Sequence, residues 1–344
     1  MKKPIGVIGA GSFGTAISGL LAKNNDVLLF SRRKEAVEQI NKKHVSYGAI
    51  LPDNVTATDN LQEIAERCDV IYPIIPSSAF RRTMRSLAPH LRPYHILIHG
   101  TKGFDTGDIT DEMLKTTTLS RSDVHTMSEV ILQETVCLRV GCLSGPNLAK
   151  EIIAGQPTAA VVASRFKEVF TVGKENLESD QFHIFASDDL LGAEFSGALK
   201  NIIAIGSGIL GGLGMGRNLQ AMLITRGLTE MIYFGQAIGA SNEAFFGTAG
   251  IGDLVATATS TSSRNYSFGE KIAQGMTLDQ INATMPETAE GVRTLRIAKQ
   301  LARHYKIRVP ITEMLYKIVF DNLDVKKALD YLITYPYDKD VDFM

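Results

Sequence analysis

The pattern of apolar and polar positions changes character partway along the 344-residue chain. In the first half, short apolar runs alternate with segments whose apolar residues recur at helical spacing. This alternation predicts a parallel sheet with helices on both faces. The predicted strands are Ile5–Gly9, Val27–Ser31, Val70–Ile75, Ile96–His99, Cys137–Ser144, Ala159–Ala163 and Phe182–Ala186. The predicted helices between them include Thr15–Lys23, Glu35–Lys43 and Ala79–Leu87.

After Ser187–Asp189 the pattern is helical and contains no convincing strand pair. Long helices are predicted at Leu190–Leu210, Leu219–Ile238, Arg293–His304 and Ile311–Asp321. We therefore predict an α/β domain over residues 1–188 and an all-helical domain over residues 189–344.

Composition and charge narrow the class of protein. Apolar residues make up 44% and charged residues 21%, and a formal net charge of −1 argues against a nucleic-acid binder. The 3 cysteines are too few for a disulfide framework. Asn201–Gly216, the longest charge-free run, is shorter than the ~20 residues of a membrane span. The glycine-rich start fits a strand and turn better than a signal peptide. We expect a soluble cytoplasmic protein.

A G-x-G-x-x-G run spans Gly9–Gly14, after a predicted strand and before a predicted helix. In dinucleotide-binding proteins, Gly9 would make the tight turn, Gly11 would let the backbone approach the pyrophosphate, and Gly14 would let the helix pack on the strand. The alternative is a structural turn, but this context favours a dinucleotide cofactor site.

Arginines stand where NAD-specific proteins often carry an acidic residue. Arg32 and Arg33 follow the second predicted strand, about 20 residues past the glycine turn. A guanidinium can bind two oxygens of a 2′-phosphate, so we predict that NADPH is preferred and that NADH remains usable. The alternative is a solvated basic loop.

The remaining candidate catalytic and phosphate-binding residues are a lone lysine and a hydroxyl-rich segment. Lys200 precedes the charge-free run, and a partly desolvated ammonium can serve as a general acid or base. The alternative is that Lys200 is a structural lysine that pairs with a carboxylate. Asp253 has three possible roles: it could hydrogen-bond Lys200, bind a substrate hydroxyl or cap a helix. Thr257–Ser263 leads into Arg264 and Asn265 at a predicted helix start, a suitable cradle for phosphate or simply an N-capped loop.

Several motifs in order resemble bacterial-type NAD(P)-dependent glycerol-3-phosphate dehydrogenases along essentially the whole chain. The matching segments are Gly9–Gly14, Ala49–Pro52, Thr101–Gly103, Ser144–Pro146, Ala198–Gly206, Ile224–Leu228, Ala249–Leu254, Ser263–Asn265, Glu290–Gly291 and Val309–Glu313. The resemblance implies a Rossmann-type parallel-sheet domain followed by an all-α domain of the 6-phosphogluconate-dehydrogenase-like type. It also implies a homodimer, without a metal, that reduces dihydroxyacetone phosphate reversibly to sn-glycerol 3-phosphate for glycerophospholipid synthesis.

The resemblance also assigns roles residue by residue. It makes Lys200 the catalytic proton carrier and gives Lys102 contacts to both cofactor and substrate. The other implied cofactor contacts are Ser12, Phe13, Arg32, Ala149, Arg264, Thr288 and Glu290. The other implied substrate contacts are Gly145, Asn147, Asp253, Ser263, Arg264 and Asn265. The chain departs from the family pattern at Asn147–Leu148, where Thr or Ser followed by Phe is usual, and at Thr288–Ala289, which replaces a more apolar pair.

Three rival interpretations remain. His95 and His99 alternate along one predicted strand, but no Cys, Asp or Glu completes a metal-ligand set nearby. A different hydroxyacid dehydrogenase would need a carboxylate site, which Ser263–Asn265 does not exclude. A non-catalytic NADPH sensor would have no need for Lys200 together with Asp253.

Overall fold

The computed structural model describes residues 2–285 and 289–335. The chain divides into two compact units, Met1–Asp105 with Thr126–Leu190 and Thr106–His125 with Leu191–Met344. The sequence prediction placed residues 106–125 in the first domain. They group with the second unit because helix 290–305 bonds to them: Arg293 Nη2 donates to Thr106 Oγ1 at 2.7 Å and Gln300 Nε2 to the Leu114 carbonyl at 3.0 Å.

The first unit is built on an eight-stranded sheet with the order β10-β9-β8-β7-β6-β1-β2-β5, and β3 and β4 form a separate hairpin. Strands β1 to β10 are Ile5–Ile8, Val27–Phe30, Val45–Ser46, Ala49–Ile50, Val55–Thr58, Val70–Pro73, Ile96–His99, Arg139–Ser144, Thr158–Ser164 and Phe182–Ser187. The seven strands predicted from sequence are present, whereas β5 and the short hairpin were missed.

The predicted parallel sheet is confirmed except at one pairing, because β8 and β9 are antiparallel. Their connection contains only a five-residue helix, Ala149–Ile153. Such a helix is about 7.5 Å long, whereas a six-residue strand spans roughly 20 Å. The whole connection, residues 145–157, is close to the lower limit of about a dozen residues for a parallel crossover, and the chain reverses into β9 instead, with Ser144 opposite Val161.

Helices cover both faces of this sheet, as the alternating pattern predicts. Helices α1 to α7 are Ser12–Leu21, Lys34–Lys43, Leu61–Arg67, Ser77–Leu87, Met127–Glu134, Ala149–Ile153 and Lys167–Leu177. Successive residues of β1 enter different cores: Val7 packs in the cluster that includes residues of α1, α2, α6 and α7. Ile8 packs in the cluster that includes residues of α3, α4 and α5. Helices cover both faces of the sheet, which explains why its central strands are mainly apolar.

From Leu190 to Ile333 the elements of the second unit are helices, whereas its segment 106–125 is mostly loop and turn. Helices α8 to α16 are Leu190–Gly212, Arg217–Ile238, Glu243–Phe246, Asp253–Ala258, Arg264–Ala273, Leu278–Thr284, Glu290–Tyr305, Pro310–Asp321 and Val325–Ile333. Thr248–Gly252 forms a π-helical turn directly before α11. Within residues 2–285 and 289–335, no helix is long and apolar enough to cross a bilayer.

Two glycines let α8 and α12 approach closely. A Cβ on Gly208 would lie 2.0 Å from the Tyr266 carbonyl oxygen, and one on Gly269 would lie 2.1 Å from the Ile205 carbonyl oxygen. Only glycine fits at such a backbone contact. This packing brings the start of α12 beside the middle of α8, which carries Lys200 and Asn201.

Candidate active site

The glycine turn has the geometry that a nucleotide site needs. Gly9 adopts a φ of +120°, and a Cβ there would lie 2.2 Å from the Ile74 carbonyl oxygen. A Cβ on Gly14 would lie 1.7 Å from the Gly9 carbonyl oxygen, so α1 can pack against the turn only through glycine. Gly11 precedes the first residue of α1, Ser12, and no described side chain caps this helix. The first amides of α1 are therefore suited to an anion.

The nucleotide contacts predicted in the first unit lie along the carboxyl edge of the sheet, where the strand order reverses between β1 and β6. Arg32 and Arg33 follow β2 with exposed side chains, and Ser31 Oγ accepts from the Arg33 amide at 3.3 Å. The ring of Phe13 packs against Gly100, which follows β7. Both guanidinium groups are therefore accessible to an anion such as a 2′-phosphate.

The loops after β7 and β8 meet through a lysine. These strands pair in parallel, with His99 opposite Cys142. Lys102 Nζ donates to the Gly145 carbonyl at 2.9 Å, and Gly145 has a φ of +126°. The Lys102 ammonium is thus held beside the loop that leads to Asn147 and to Ala149, the first residue of α6.

Asn147 has an unsatisfied amide. Its Oδ1 and Nδ2 atoms are both buried, and neither has a hydrogen-bond partner among the described residues. Buried amide groups are nearly always hydrogen-bonded, so this one needs a polar ligand or a water molecule. The residues at this edge therefore fit a polar cofactor or substrate, and Asn147 can both donate and accept.

In the second unit, Lys200 is buried with 5% exposure and pairs with a carboxylate. Its Nζ donates to Asp253 Oδ1 at 2.8 Å and also to Thr257 Oγ1. Thr257 Oγ1 in turn donates to the same carboxylate oxygen at 3.4 Å. Of the alternatives for Asp253, the structure shows the bond to Lys200. The π-helical turn positions this carboxylate at the start of α11.

The sequence analysis placed Thr257 in the hydroxyl-rich segment before Arg264 but did not assign it to the Lys200 site. The Asp253–Thr257 spacing places both side chains on one face of α11, one turn apart. That spacing was the available signal, but it does not indicate that Lys200 faces them. The ammonium is fixed from two directions, which orients a buried proton donor.

Asn265 connects three helices of the second unit. Its Nδ2 donates to Asn201 Oδ1 on α8 at 2.9 Å, and its Oδ1 accepts from the Gly291 amide of α14 at 2.9 Å. Ser263 caps α12, with its Oγ accepting from the Tyr266 amide at 3.3 Å. Arg264 is the exposed first residue of α12. Arg264 thus extends from a helix start that Ser263 and Asn265 hold in place.

Glu290 is the first residue of α14, adjacent to the Gly291 amide that Asn265 binds. Thr288, the other cofactor contact predicted in this region, lies outside the described residues.

The two histidines of the rival metal interpretation have separate surroundings within the first unit. His95 Nε2 bonds to the Ala65 carbonyl at 2.8 Å, and His99 Nε2 bonds to Ser128 Oγ at 3.2 Å. The part of the chain that the structure describes contains no group of three or more side chains suited to a metal ion.

A glycine-rich nucleotide turn on a predominantly parallel sheet, followed by a helical unit with a buried lysine–carboxylate pair, defines a nicotinamide-nucleotide-dependent oxidoreductase. Residues 4–170 match the family model for the N-terminus of NAD-dependent glycerol-3-phosphate dehydrogenase, and residues 189–330 match the model for its C-terminus. The chain belongs to the NAD-dependent glycerol-3-phosphate dehydrogenase family.

Relatives cover nearly the whole chain. Glycerol-3-phosphate dehydrogenase [NAD(P)+] of Saccharophagus degradans is 38% identical over 99% of this chain and 92% of its own length. The Staphylococcus aureus enzyme of the same name is 36% identical over 96% of this chain and 97% of its own length. The crystal structure of glycerol-3-phosphate dehydrogenase from Coxiella burnetii is 31% identical and superposes with a TM-score of 0.86, over 97% of this chain and 99% of that one.

Proposed function

We propose that this chain reduces dihydroxyacetone phosphate reversibly to sn-glycerol 3-phosphate with a nicotinamide cofactor. Its membership of the family supports this reaction, and the buried Lys200–Asp253 pair is the observation that carries the chemistry. The substrate is a phosphorylated triose, and the cofactor is NAD(P)H.

Lys200 is the proton carrier. Reduction adds a hydride, which the nicotinamide supplies when bound, to the carbonyl carbon, and negative charge develops on the carbonyl oxygen. The Lys200 ammonium stabilises that charge and donates a proton to give the hydroxyl; in the reverse direction the neutral amine accepts it. Asp253 and Thr257 position the amine, and the Asp253 carboxylate compensates its positive charge.

Arg264 binds the phosphate of the substrate and contacts the cofactor. Its exposed guanidinium at the start of α12 combines a bidentate phosphate donor with a helix N-terminus. Ser263 and Asn265 contribute from the same helix start. Binding energy from this remote phosphate fixes the position of the carbonyl group before reaction.

The first unit holds the nucleotide. The turn at Gly9, Gly11 and Gly14 accommodates the pyrophosphate, and Ser12, Phe13 and Ala149 contact the cofactor; the family resemblance assigns cofactor contacts to Thr288 and Glu290 as well. Lys102 contacts both substrate and cofactor, and Gly145 and Asn147 contact the substrate; the buried, unpartnered amide of Asn147 supports its role. Arg32 and Arg33 bind the 2′-phosphate, so NADPH is preferred over NADH.

The oligomer is a homodimer, for which the apolar faces of the helical unit are suited, and the location is the cytoplasm. None of the three cysteines forms a disulfide in the structure, which agrees with a reducing compartment.

Comparison of phosphorylated and unphosphorylated ketones tests this proposal. With NADPH present, dihydroxyacetone phosphate should be reduced and dihydroxyacetone should not, because only the former can use Arg264. Pyruvate serves as the control for a hydroxyacid dehydrogenase. NADPH binding without turnover of any of these ketones would contradict the proposal and favour a sensor.

A further inference from the structure

Two serines of α8 lie on the same side of the helix as Lys200. Ser196 precedes the lysine by four residues, and Ser207 follows it by seven. At 3.6 residues per turn, these spacings keep the three side chains within an arc of about 40°. Both serines are buried with 0% exposure. Their hydroxyl groups therefore flank the buried ammonium along about 16.5 Å of the helix.

Both hydroxyl groups donate to carbonyls in residues 248–258, the π-helical turn and α11, which carry the partners of the lysine. Ser207 Oγ donates to the carbonyl of Ala258, the last residue of α11, at 2.6 Å. The Ser196 hydroxyl hydrogen is shared between two carbonyls, each at 3.1 Å from Oγ. One belongs to Ala193 in the same helix, and the other belongs to Ala249 in the π-helical turn. Each serine thus connects α8 to residues 248–258.

The contacts follow the same order along both segments. Along α8 the order is Ser196, Lys200 and Ser207, and along residues 248–258 the order of their partners is Ala249, then Asp253 and Thr257, then Ala258. The ion pair therefore lies between two hydrogen bonds that join the same two segments. Hydrogen bonds restrict both distance and angle, whereas apolar burial is non-directional. The serines thus fix the register of the two segments at the amine.

Helix α11 depends on such contacts because it is short. It contains only six residues, Asp253–Ala258, whereas isolated helices of fewer than about 12–15 residues are marginal in water. Its neighbours in the fold must therefore hold it in place. Leu254 is fully buried, but Val255 is 42% exposed, so apolar packing holds one side of the helix only. The serine hydrogen bonds supply directional restraints near its two ends.

We propose that Ser196 and Ser207 are positioning residues for Lys200. Their hydrogen bonds hold α11 in the register at which Asp253 and Thr257 meet the amine. The effect on turnover rests on the proposed function, whereas the anchoring of α11 can be measured without any substrate. The two parts of the inference are therefore tested separately.

Amide hydrogen exchange of the full-length protein, followed by mass spectrometry, tests the anchoring. In Ser207→Ala, peptides that cover α11 should exchange about two- to tenfold faster, because opening of this helix no longer breaks the serine hydrogen bond. Ser196→Ala/Ser207→Ala should show a larger effect, and peptides from the sheet of the first unit should be unaffected. Unchanged exchange over α11 in the double variant would overturn the proposal, whether or not the protein reduces dihydroxyacetone phosphate.

Steady-state kinetics test the consequence for turnover. A displacement of about 1 Å at a reacting group can cost about 10²-fold in rate. We expect Ser207→Ala to lower kcat with dihydroxyacetone phosphate about three- to tenfold and the double variant to lower it about 10–100-fold. The KM values for this ketone and for NADPH should change much less, because Arg264 and the nucleotide turn are unaltered. Ser207→Cys keeps a weak donor of similar size and should restore part of kcat.

Ser164→Ala is the matched control. Ser164 lies in the first unit, is also 0% exposed, and donates from Oγ to the Val140 carbonyl at 2.7 Å. Its replacement should lower the thermal unfolding temperature, as replacement of Ser207 does, but should leave kcat unchanged.

Two kinetic results would overturn the proposal. An equal fall of kcat in Ser164→Ala and Ser207→Ala would show that the serines of α8 affect stability alone. A kcat within about twofold of the wild-type value in the Ser196→Ala/Ser207→Ala variant would show that Lys200 does not depend on them. A wild-type protein without turnover would contradict the proposed function instead, and hydrogen exchange over α11 would then decide whether the serines anchor this helix.

Discussion

Replacing Lys200 with alanine removes the group on which the proposed chemistry depends most. A positioned general acid contributes about 10²–10⁴ to a rate. A preorganised donor at a developing oxyanion contributes about 10²–10³. One ammonium supplies both effects here and they are not additive, so we expect kcat to fall by about 10³–10⁵, or ~4–7 kcal/mol. Since Lys200 lies in the second unit and the nucleotide turn in the first, NADPH should still bind.

The same substitution also leaves the Asp253 carboxylate buried without its cation. The pair is almost fully buried, and removing one member of such a pair typically costs about 3–5 kcal/mol of stability. A loss of activity could therefore reflect unfolding. The double variant Lys200→Met with Asp253→Asn replaces the ion pair with two uncharged side chains. It therefore separates the loss of catalysis from the loss of stability.

The assay has two readouts, kcat from NADPH absorbance with dihydroxyacetone phosphate and NADPH affinity from fluorescence titration. The single and double variants should lose kcat to a similar extent, whereas the double variant should regain thermal stability. A kcat within tenfold of the wild-type value in either variant would refute the assignment of Lys200.

Three further predictions concern other groups. Arg32→Ala/Arg33→Ala should lower the NADPH-to-NADH ratio of kcat/KM by about tenfold or more, and an unchanged ratio would exclude both arginines from a 2′-phosphate site. Arg264→Ala should raise the KM for dihydroxyacetone phosphate and for NADPH more than it lowers kcat; two unchanged KM values would remove it from the site. Burial raises the pKa of Glu230, which accepts from the Ile311 and Thr312 amides, to about 7. The folded state therefore binds a proton more tightly than the unfolded state, so this contribution to stability is complete below about pH 4.5 and is lost as pH rises through about 7. In urea unfolding at several pH values, Glu230→Gln should gain up to about 3 kcal/mol relative to the wild type over that interval, and a constant difference would contradict the reasoning.

Strands and turns are predicted correctly from the sequence where a local pattern of residues is sufficient to determine the local structure. β1 is apolar at every position because both of its faces are covered, so its run identified a buried strand and the glycines after it identified the turn. Strand β5, Val55–Thr58, alternates small and polar residues at a sheet edge and has too weak a signal to detect. The antiparallel pairing of β9 depends on the length of a connection, which periodicity does not report.

The candidate site shows the same distinction between local and long-range information. The burial of Lys200 followed from the charge-free run after it, since a helix without charges is packed on all sides. Its partners stand 53 and 57 positions away, and only the folding of α11 against α8 brings them to the amine. The unsatisfied amide of Asn147 also emerges only once the surrounding chain is in place.

The most direct test of the central claim follows the near-ultraviolet absorbance of NADPH and NADH, with and without dihydroxyacetone phosphate, on the purified wild-type protein. We predict that absorbance falls only when this ketone is present, that one sn-glycerol 3-phosphate forms for each nucleotide oxidised, and that NADPH is consumed more efficiently than NADH. Stable absorbance with both cofactors, in a protein that demonstrably binds NADPH, would contradict the claim.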